Sequence, residues 1–291
     1  MNEQCQWIQT ALELLPHVPK IFLIDFLRYF VFAGVAFVVL YVWKHPFQSR
    51  KIQAKQAQTS QFRKEFIYSI SSVTVYTAVT LTVLFFRKFG YFRFYDNIQE
   101  HGWGYLLLSA LLILVIQDFY FYWTHRLMHT RLLFKVFHKV HHESVTPSPW
   151  TAYSFSPGEA FLHALILPIV VSLFPVHTLA LLISMTFQIV RNVLGHSGYE
   201  MFPRWFLSNR ILKYINTNTN HDMHHQFFRY NFGLYTTIWD EIFGTIHPEY
   251  EKTFNKITEK KRCGRFGGNQ TRSELKTPIR STKDGLRNDK R

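Results

Sequence analysis

Four long apolar segments, separated by basic ones, constrain this chain more than any other feature. They cover roughly residues 21–43, 66–86, 103–123 and 160–190. A helix needs about 20 apolar residues to cross the hydrocarbon core of a bilayer. The first three segments are long enough for one crossing each, whereas the fourth is interrupted around Pro175. The interruption predicts two short helices, which either cross the membrane or dip in and return. We therefore expect an all-α, multi-pass transmembrane helical bundle.

The distribution of basic residues indicates which side of the membrane each connection faces. The formal net charge is +14, and the positive residues collect between apolar segments and after Pro248. This placement is typical of cytoplasmic loops and argues against a nucleic-acid-binding face. The first loop contains six basic residues and one acid, which are Lys44, Arg50, Lys51, Lys55, Arg63, Lys64 and Glu65. With that loop in the cytoplasm, the chain after Trp123 and the chain after Val190 also lie on the cytoplasmic side.

Three regions follow from this organisation. Residues 1–102 form N-terminal membrane helices with a basic loop, residues 103–250 form a catalytic domain, and residues 251–291 form a basic tail that we expect to be disordered. Such a tail would bind anionic lipid. The two cysteines, Cys5 and Cys263, predict neither a disulfide framework nor a cysteine metal site. No removable signal peptide is recognisable.

Histidines cluster on the predicted cytoplasmic side. The third apolar segment ends in HRLMH, HKVHH follows, and HDMHH begins at residue 221. Spacings of three and four residues place the imidazoles of each motif on one helix face. Together these motifs supply eight histidines, which are His125, His129, His138, His141, His142, His221, His224 and His225. The sequence therefore predicts a cytosolic cap of histidine-rich helices.

Metal binding is the chemistry that this cluster favours. Imidazole suits zinc, copper, iron and nickel. Eight or nine histidines are too many for one ion and enough for two, with positions left open for oxygen. We expect His163 either near the site or in a structural role. The other scattered histidines are interpreted as structural or interfacial residues: His17, His45, His101, His177 and His247.

The order HRLMH, HKVHH, HDMHH resembles the membrane-bound fatty acid hydroxylase and sterol desaturase superfamily. The similarity runs from about Leu106 to Pro248 and includes the acid before the first motif. It also includes HHESVTPSPWTAYSFSPGEAFLH and QFFRYNFGLYTTIWDEIFGT. The second of these stretches is similar to the end of sterol C5-desaturases. The resemblance implies integral membrane enzymes that contain two non-haem iron ions.

The resemblance also implies a ligand set. It assigns the eight histidines above as iron ligands and His196 as a further one. The fatty acid 2-hydroxylase branch has another histidine where this chain has Asn192, which would contact a metal through water or not at all. Carboxylates should accept the imidazole N–H groups that face away from the metal. Asp118 and Asp240 are the candidates for this role, whereas Asp222 is expected to point away from the ligands and into solvent.

The implied activity is the oxidation of a C–H bond in a membrane lipid with O2. A sterol-like lipid with desaturation is the first hypothesis, and hydroxylation of a fatty acyl or sphingoid chain is the alternative. Electrons would come from cytochrome b5 or a ferredoxin with its reductase, because no flavin, haem or nicotinamide motif is visible. Arg126, Arg131, Lys135 and Lys139 form either a docking surface for that donor or a solvated face. A membrane metal-binding or transport protein is the remote alternative. The bacterial inner membrane and the endoplasmic reticulum both remain open as locations.

Overall fold

The computed structural model describes residues 3–43, 47–55 and 57–259, and they form the predicted all-α bundle. The first six helices are α1 (Glu3–Leu14), α2 (Val18–Phe37), α3 (Thr59–Arg87), α4 (Gly102–Met128), α5 (Arg131–Leu133) and α6 (Lys139–His142). The next six are α7 (Pro157–Ala164), α8 (Ile166–Leu173), α9 (Thr178–Gly195), α10 (Asn218–Phe227), α11 (Ile238–Ile242) and α12 (Tyr250–Glu259). Two-residue strands, β1 (Phe94–Tyr95) and β2 (Val176–His177), pair in parallel.

Four helical segments of the described chain are long and apolar enough to cross a membrane. They are Gln4–Val42, Thr59–Arg87, Gly102–Met128 and Thr178–Gly195. The first combines α1 and α2 with a short 3-10 turn and a π-helical end over Val38–Val42. These spans confirm the multi-pass prediction. On α4 the exposed side chains Leu107, Leu111 and Val115 recur every four residues, as expected for a stripe that faces lipid.

The interruption predicted around Pro175 is present. Helix α8 ends at Leu173, Phe174 is extended, and β2 precedes α9. Strand β2 pairs with β1 from the connection between α3 and α4, in the register Phe94 with Val176. The His177 side chain accepts a hydrogen bond from Leu179 N and so caps α9. This pairing holds the turn between α8 and α9 beside the start of α4, which is the end of α4 opposite to the histidine motifs.

Small and hydroxylated residues let the spans approach closely. Ala33, Ser72, Ala110 and Ala180 are all buried between helices. The Ser184 hydroxyl of α9 donates to Ala110 O of α4, which joins the two spans. In lipid such contacts matter more than apolar area, because lipid tails are as apolar as the side chains.

Glu65 was counted from the sequence as the only acid of the basic loop, but it lies buried in α3. Its carboxylate accepts hydrogen bonds from the hydroxyls of Ser144, Ser148 and Thr151. A buried carboxylate needs such donors, since burial without them is costly. The segment after the second histidine motif is thereby fixed against α3.

The last described helix corrects part of the prediction for the tail. Residues 251–259 belong to α12, and Tyr250, Phe254 and Ile257 are buried. Their spacing of four and three makes one apolar stripe. Tyr250 and Phe254 of this stripe pack with Phe206 and Met223 in a small core beside α10. The expectation of disorder was therefore wrong for these residues. The rest of the predicted tail, residues 260–291, lies outside the described residues.

Candidate metal centre

The structure brings the nine histidines together as two adjacent groups. Within each group the nitrogens that could bind a metal lie within 4.8 Å of one another. The first group contains five residues, His125, His129, His138, His142 and His224. The second contains four, His141, His196, His221 and His225. Eight of the nine side chains are buried, and His129 is partly exposed.

Helix geometry divides the motifs between the two groups. His125 and His129 are four residues apart and share the first group, as do His138 and His142. In the third motif, His221 and His225 share the second group. Residues four apart lie on one face of a helix, whereas the next residue is rotated by about 100°.

The two remaining residues of the HxxHH motifs cross over between groups. His141 joins the second group and His224 joins the first. The expectation that all three imidazoles of an HxxHH motif serve one face was therefore incomplete, because each of the two HxxHH motifs contributes to both groups. A π-helical turn over Phe134–His138 precedes α6 and sets the rotation at which His138 enters the first group.

The Nε2 atoms point at one another. The Nε2–Nε2 distances for His125–His138, His129–His142, His142–His224, His196–His221 and His141–His196 lie between 2.9 and 3.2 Å. Neighbouring ligands bound at right angles at about 2.1 Å, a usual metal–imidazole distance, would be about 3 Å apart. The spacing therefore suits donors that converge on a common ion.

Backbone and carboxylate acceptors hold the opposite side of five rings. The Nδ1–H group of His125 donates to Phe232 O, that of His138 to Glu159 Oε1 and that of His141 to Ser154 O. The Nδ1–H groups of His196 and His224 donate to Asn192 O and Tyr230 O, respectively. A neutral imidazole with its proton on Nδ1 has its lone pair on Nε2. The lone pairs therefore face one another, which is repulsive unless a cation lies between them.

Unpaired buried nitrogens support the same conclusion. Both ring nitrogens of His225 are buried without a hydrogen-bond partner among the described residues. An unpaired buried polar group costs about 1–3 kcal/mol. A metal ion that binds His225 would remove this cost for the bound nitrogen. The donor set thus fits a centre for metal ions with imidazole ligands.

Burial keeps these rings neutral, which is the form that binds metal. It lowers the pKa of His138 to about 3 and that of His224 to about 3. Burial likewise lowers the pKa of His196 to about 4. The pKa values of His141 and His221 are lowered by burial and, secondarily, by neighbouring imidazoles.

Two carboxylates act on the metal-binding rings through a loop. Asp240 accepts hydrogen bonds from Phe232 N and Gly233 N, at 2.8 Å each. Asp118 accepts from Tyr235 N and from Thr236 N and Oγ1. The loop they hold provides Phe232 O, the acceptor for His125. From the sequence, the two carboxylates were expected to accept directly from imidazole N–H groups. In the structure they instead hold the loop whose backbone oxygen accepts from His125.

Two other polar residues lie close to the groups. Asp222 is fully buried and accepts a hydrogen bond from Gln53 Nε2 at 2.8 Å, so the expectation that it is solvated was wrong. Burial raises the pKa of Asp222 to about 7. The Asn192 side chain donates to Ala152 O at 2.6 Å, and its backbone oxygen accepts from His196. The Asn192 side chain is thus held by a contact within the protein, and its backbone oxygen orients the His196 ring.

Glu159 was missed in the sequence. It is fully buried on α7, with Oε1 at 2.6 Å from His138 Nδ1 and 3.5 Å from His163 Nε2. The order Ser156-Pro157-Gly158-Glu159 resembles an ordinary helix start, and the Ser156 hydroxyl does accept from Glu159 N. The available signal in the sequence was that Glu159, an acid, directly precedes an apolar run. His163 belongs to neither group, but it lies beside the first one through Glu159.

The fold and the site define an integral membrane protein with two adjacent groups of histidines, suited to metal ions, at the end of its helical bundle. Comparison with known proteins agrees: the family model described as fatty acid hydroxylase matches residues 110–245. That range contains all nine histidines of the two groups. The chain belongs to this fatty acid hydroxylase family, and its similar relatives are sterol desaturases.

Lathosterol oxidase of Mus musculus is 31% identical over 230 residues, which cover 77% of this chain and 72% of the relative. A Delta(7)-sterol 5(6)-desaturase of Aspergillus fumigatus is 29% identical over 238 residues, 79% of this chain and 62% of the relative. Another from Schizosaccharomyces pombe is 32% identical over 167 residues, which cover 57% of this chain and 53% of the relative. No solved structure matches the chain. These relatives identify the chain as a sterol desaturase-like lipid oxidoreductase of the membrane.

Proposed function

We propose that this protein uses two iron ions and O2 to introduce a double bond into a sterol-like membrane lipid. The observation that carries the proposal is the convergence of nine histidine side chains into two adjacent groups. Iron accepts imidazole ligands, and two adjacent redox-active ions suit the reduction of O2. The similarity to lathosterol oxidase and to Delta(7)-sterol 5(6)-desaturases supports desaturation and a sterol-like substrate.

Each group of histidines would hold one ion. Five imidazoles would surround the first ion and four the second, all of them neutral. When bound, iron would activate O2 so that it can remove hydrogen from an unactivated C–H bond. In desaturation, two hydrogens leave adjacent lipid carbons, and two electrons and two protons come from outside. Dioxygen is thereby reduced to two water molecules, which balances the reaction.

The residues of the chain position the reactants and exclude water. Hydrogen bonds at Nδ1 fix five rings so that their Nε2 atoms stay directed inward. Phe121 contacts His125 at a ring-centroid distance of 4.8 Å, and Phe155 contacts His141 at 4.9 Å. These rings cover both groups on the side that faces the spans. A lipid carbon that reaches them would lie in an apolar environment with little water.

The electron donor would be an acidic carrier such as cytochrome b5, or a ferredoxin, with its reductase. Arg131 and Lys135 are exposed between the first two histidine motifs, and Lys139 is exposed within the second, on the side of the bundle that carries the histidine groups. Arg126 is half-buried and donates to the Tyr122 hydroxyl. Exposed positive charges speed association with an acidic partner and orient it. We place this surface and the metal centre in the cytoplasm, and we favour the endoplasmic reticulum because the relatives above are eukaryotic.

A His224→Ala variant tests the proposal. His224 Nε2 lies 3.0 Å from His142 Nε2, and its helix also carries two ligands of the second group. We expect purified wild type to hold about two iron ions and to convert a Δ7-sterol only with O2 and a reductant. The variant should lose iron and turnover while still inserting into the membrane. His17→Ala, an exposed histidine outside both groups, is the matched control and should keep both properties.

Two results would contradict the proposal. Full turnover by His224→Ala would remove the first group from the reaction. Metal flux into liposomes without any lipid oxidation would indicate transport instead. The match to the fatty acid hydroxylase model keeps acyl or sphingoid hydroxylation as the second candidate. Lipid analysis of a host with and without the gene distinguishes the two, since hydroxylation adds an oxygen and desaturation removes two hydrogens.

A further inference from the structure

Two adjoining clefts lead from the middle of the spans to the metal centre. The larger, about 70 Å³, lies between α2, α3, α4, α8 and α9. The smaller, about 20 Å³, lies next to the histidine groups. Both are lined by Gln117, His163, Ile166 and Gln188, so they form one path. The wall formed by α9 extends from Leu181 to Asn192, about 17 Å at 1.5 Å per residue.

The smaller cleft is the end at which chemistry would occur. Phe121 and Phe155 line it, and each contacts a histidine of a different group. His163 lies between these two rings, with centroids 5.3 Å from Phe121 and 4.9 Å from Phe155. A lipid carbon at this end would lie against the two aromatic rings that contact the two groups of histidines.

At this end the Gln188 amide lines both clefts, next to His163, whose Nε2 faces Glu159 Oε1 at 3.5 Å. The Gln188 amide makes no hydrogen bond to any described residue, although α9 is a membrane-spanning helix. The other amides nearby are engaged, since Gln117 Oε1 accepts from the Tyr235 hydroxyl and Asn192 donates to Ala152 O. A polar group inside a span without a protein partner favours a ligand or water as its partner.

The inference rests on the function proposed above. If the substrate is a sterol, its chemistry decides which end of the path must recognise a hydroxyl group. A sterol is a 3-hydroxy compound, and its carbon 3 lies two bonds from carbon 5. Oxidation at positions 5 and 6 therefore places the hydroxyl group beside the reacting carbons. Thr80, Tyr76 and the Asp25–Arg28 ion pair line the larger cleft and not the smaller one, which lies beside the histidine groups.

We propose that the Gln188 amide hydrogen bonds the hydroxyl group of a polycyclic alcohol while its nearby ring carbons lie against Phe121 and Phe155. The rest of the lipid then extends along the larger cleft towards Thr80. Gln188 is in this view a residue that selects 3-hydroxylated substrates and sets which carbons reach the metal centre.

The test compares a Δ7-sterol with its 3-deoxy analogue in wild type, Gln188→Met and Thr80→Val, all reconstituted with iron and reductant. Methionine keeps the length of glutamine and removes the amide, and valine keeps the shape of threonine and removes the hydroxyl. The readouts are kcat/KM for each compound and competitive binding of each compound to metal-free protein. We expect wild type and Thr80→Val to prefer the alcohol by about tenfold in both readouts, and Gln188→Met to lose that preference.

Each outcome bears on the inference. An unchanged preference in Gln188→Met, or an equal loss for both compounds, overturns it while leaving the proposed function intact. A loss of preference in Thr80→Val alone places the hydroxyl group at the other end and also overturns it. Failure of wild type to oxidise either compound removes the proposed function and the inference together. If Gln188→Met does not accumulate in the membrane, Gln188→Leu replaces it.

Discussion

At the scale of single residues, Glu159 raises a question of charge. The nine imidazoles of the site are neutral, so two divalent ions would introduce positive charge into a buried region with no ligand to balance it. Glu159 is fully buried and hydrogen bonded to His138. A carboxylate there offsets part of that charge and makes the His138 ring a stronger ligand. The same carboxylate also holds the ring in orientation.

Replacing Glu159 with glutamine should weaken metal binding. The amide keeps the shape of the carboxylate but removes its charge, and losses of such partners lower metal affinity about 10- to 100-fold. Iron retained per chain during competition with a chelator measures the effect. Glu241→Gln, at an exposed position on α11, is the matched control and should behave as wild type. Equal iron retention in both variants would show that Glu159 has no part in holding the metal.

Residue types and spacing predicted much of this site, and the misses have a physical reason. Repeats of three and four residues were enough to assemble the histidines. They did not show that His141 and His224 cross between groups, because that depends on how the helices are rotated against each other. Glu159 was hidden because the sequence of a helix start does not tell where a carboxylate points. Asp222 appeared solvated because its partner, Gln53, lies 169 residues away.

At the scale of elements, the loop between α10 and α11 connects the histidine groups to the carboxylates of Asp118 and Asp240. Its residues Phe228 and Asn231 have positive φ angles, which few residues other than glycine adopt. Asn231 Nδ2 donates to Asn220 O, and its Oδ1 accepts from His247 N. These contacts offset the strain of the loop that follows the third histidine motif.

Gly233 is the position in this loop with no room for a side chain. A Cβ atom there would lie 2.2 Å from Thr236 O and 2.9 Å from Asp240 Oδ2. Gly233→Ala should therefore displace the loop, move Phe232 O away from His125, and lower both iron content and turnover. Gly104→Ala is the control, because a Cβ at Gly104 meets no atom within 4 Å. Iron analysis and thermal unfolding of the two variants check this, and equal behaviour would contradict a role for the loop in holding His125.

At the scale of the whole molecule, the order of spans and basic loops predicted more of the fold than local preferences did. Apolar length marked the spans, since a bilayer admits few alternatives, and the interruption of the fourth apolar segment marked the turn at Pro175. Contacts outside the membrane were harder to predict. Phe254 packs with Phe206 and Met223, which lie far from it in the sequence, so local patterns did not show this contact.

Sidedness is a whole-molecule property that the basic residues predict and labelling can measure. Ser60 lies in the first turn of α3, at the end of that helix nearer the histidine groups. Gln99 lies between α3 and α4, at the opposite end of both helices, and both residues are exposed. In a background with Cys5 and Cys263 replaced by serine, Ser60→Cys should react with a membrane-impermeant maleimide in sealed vesicles whose cytoplasmic face is outward. Gln99→Cys should react only after detergent is added, because α4 carries it across the bilayer. The reverse pattern would place the metal centre on the non-cytoplasmic side, out of reach of a cytoplasmic electron donor.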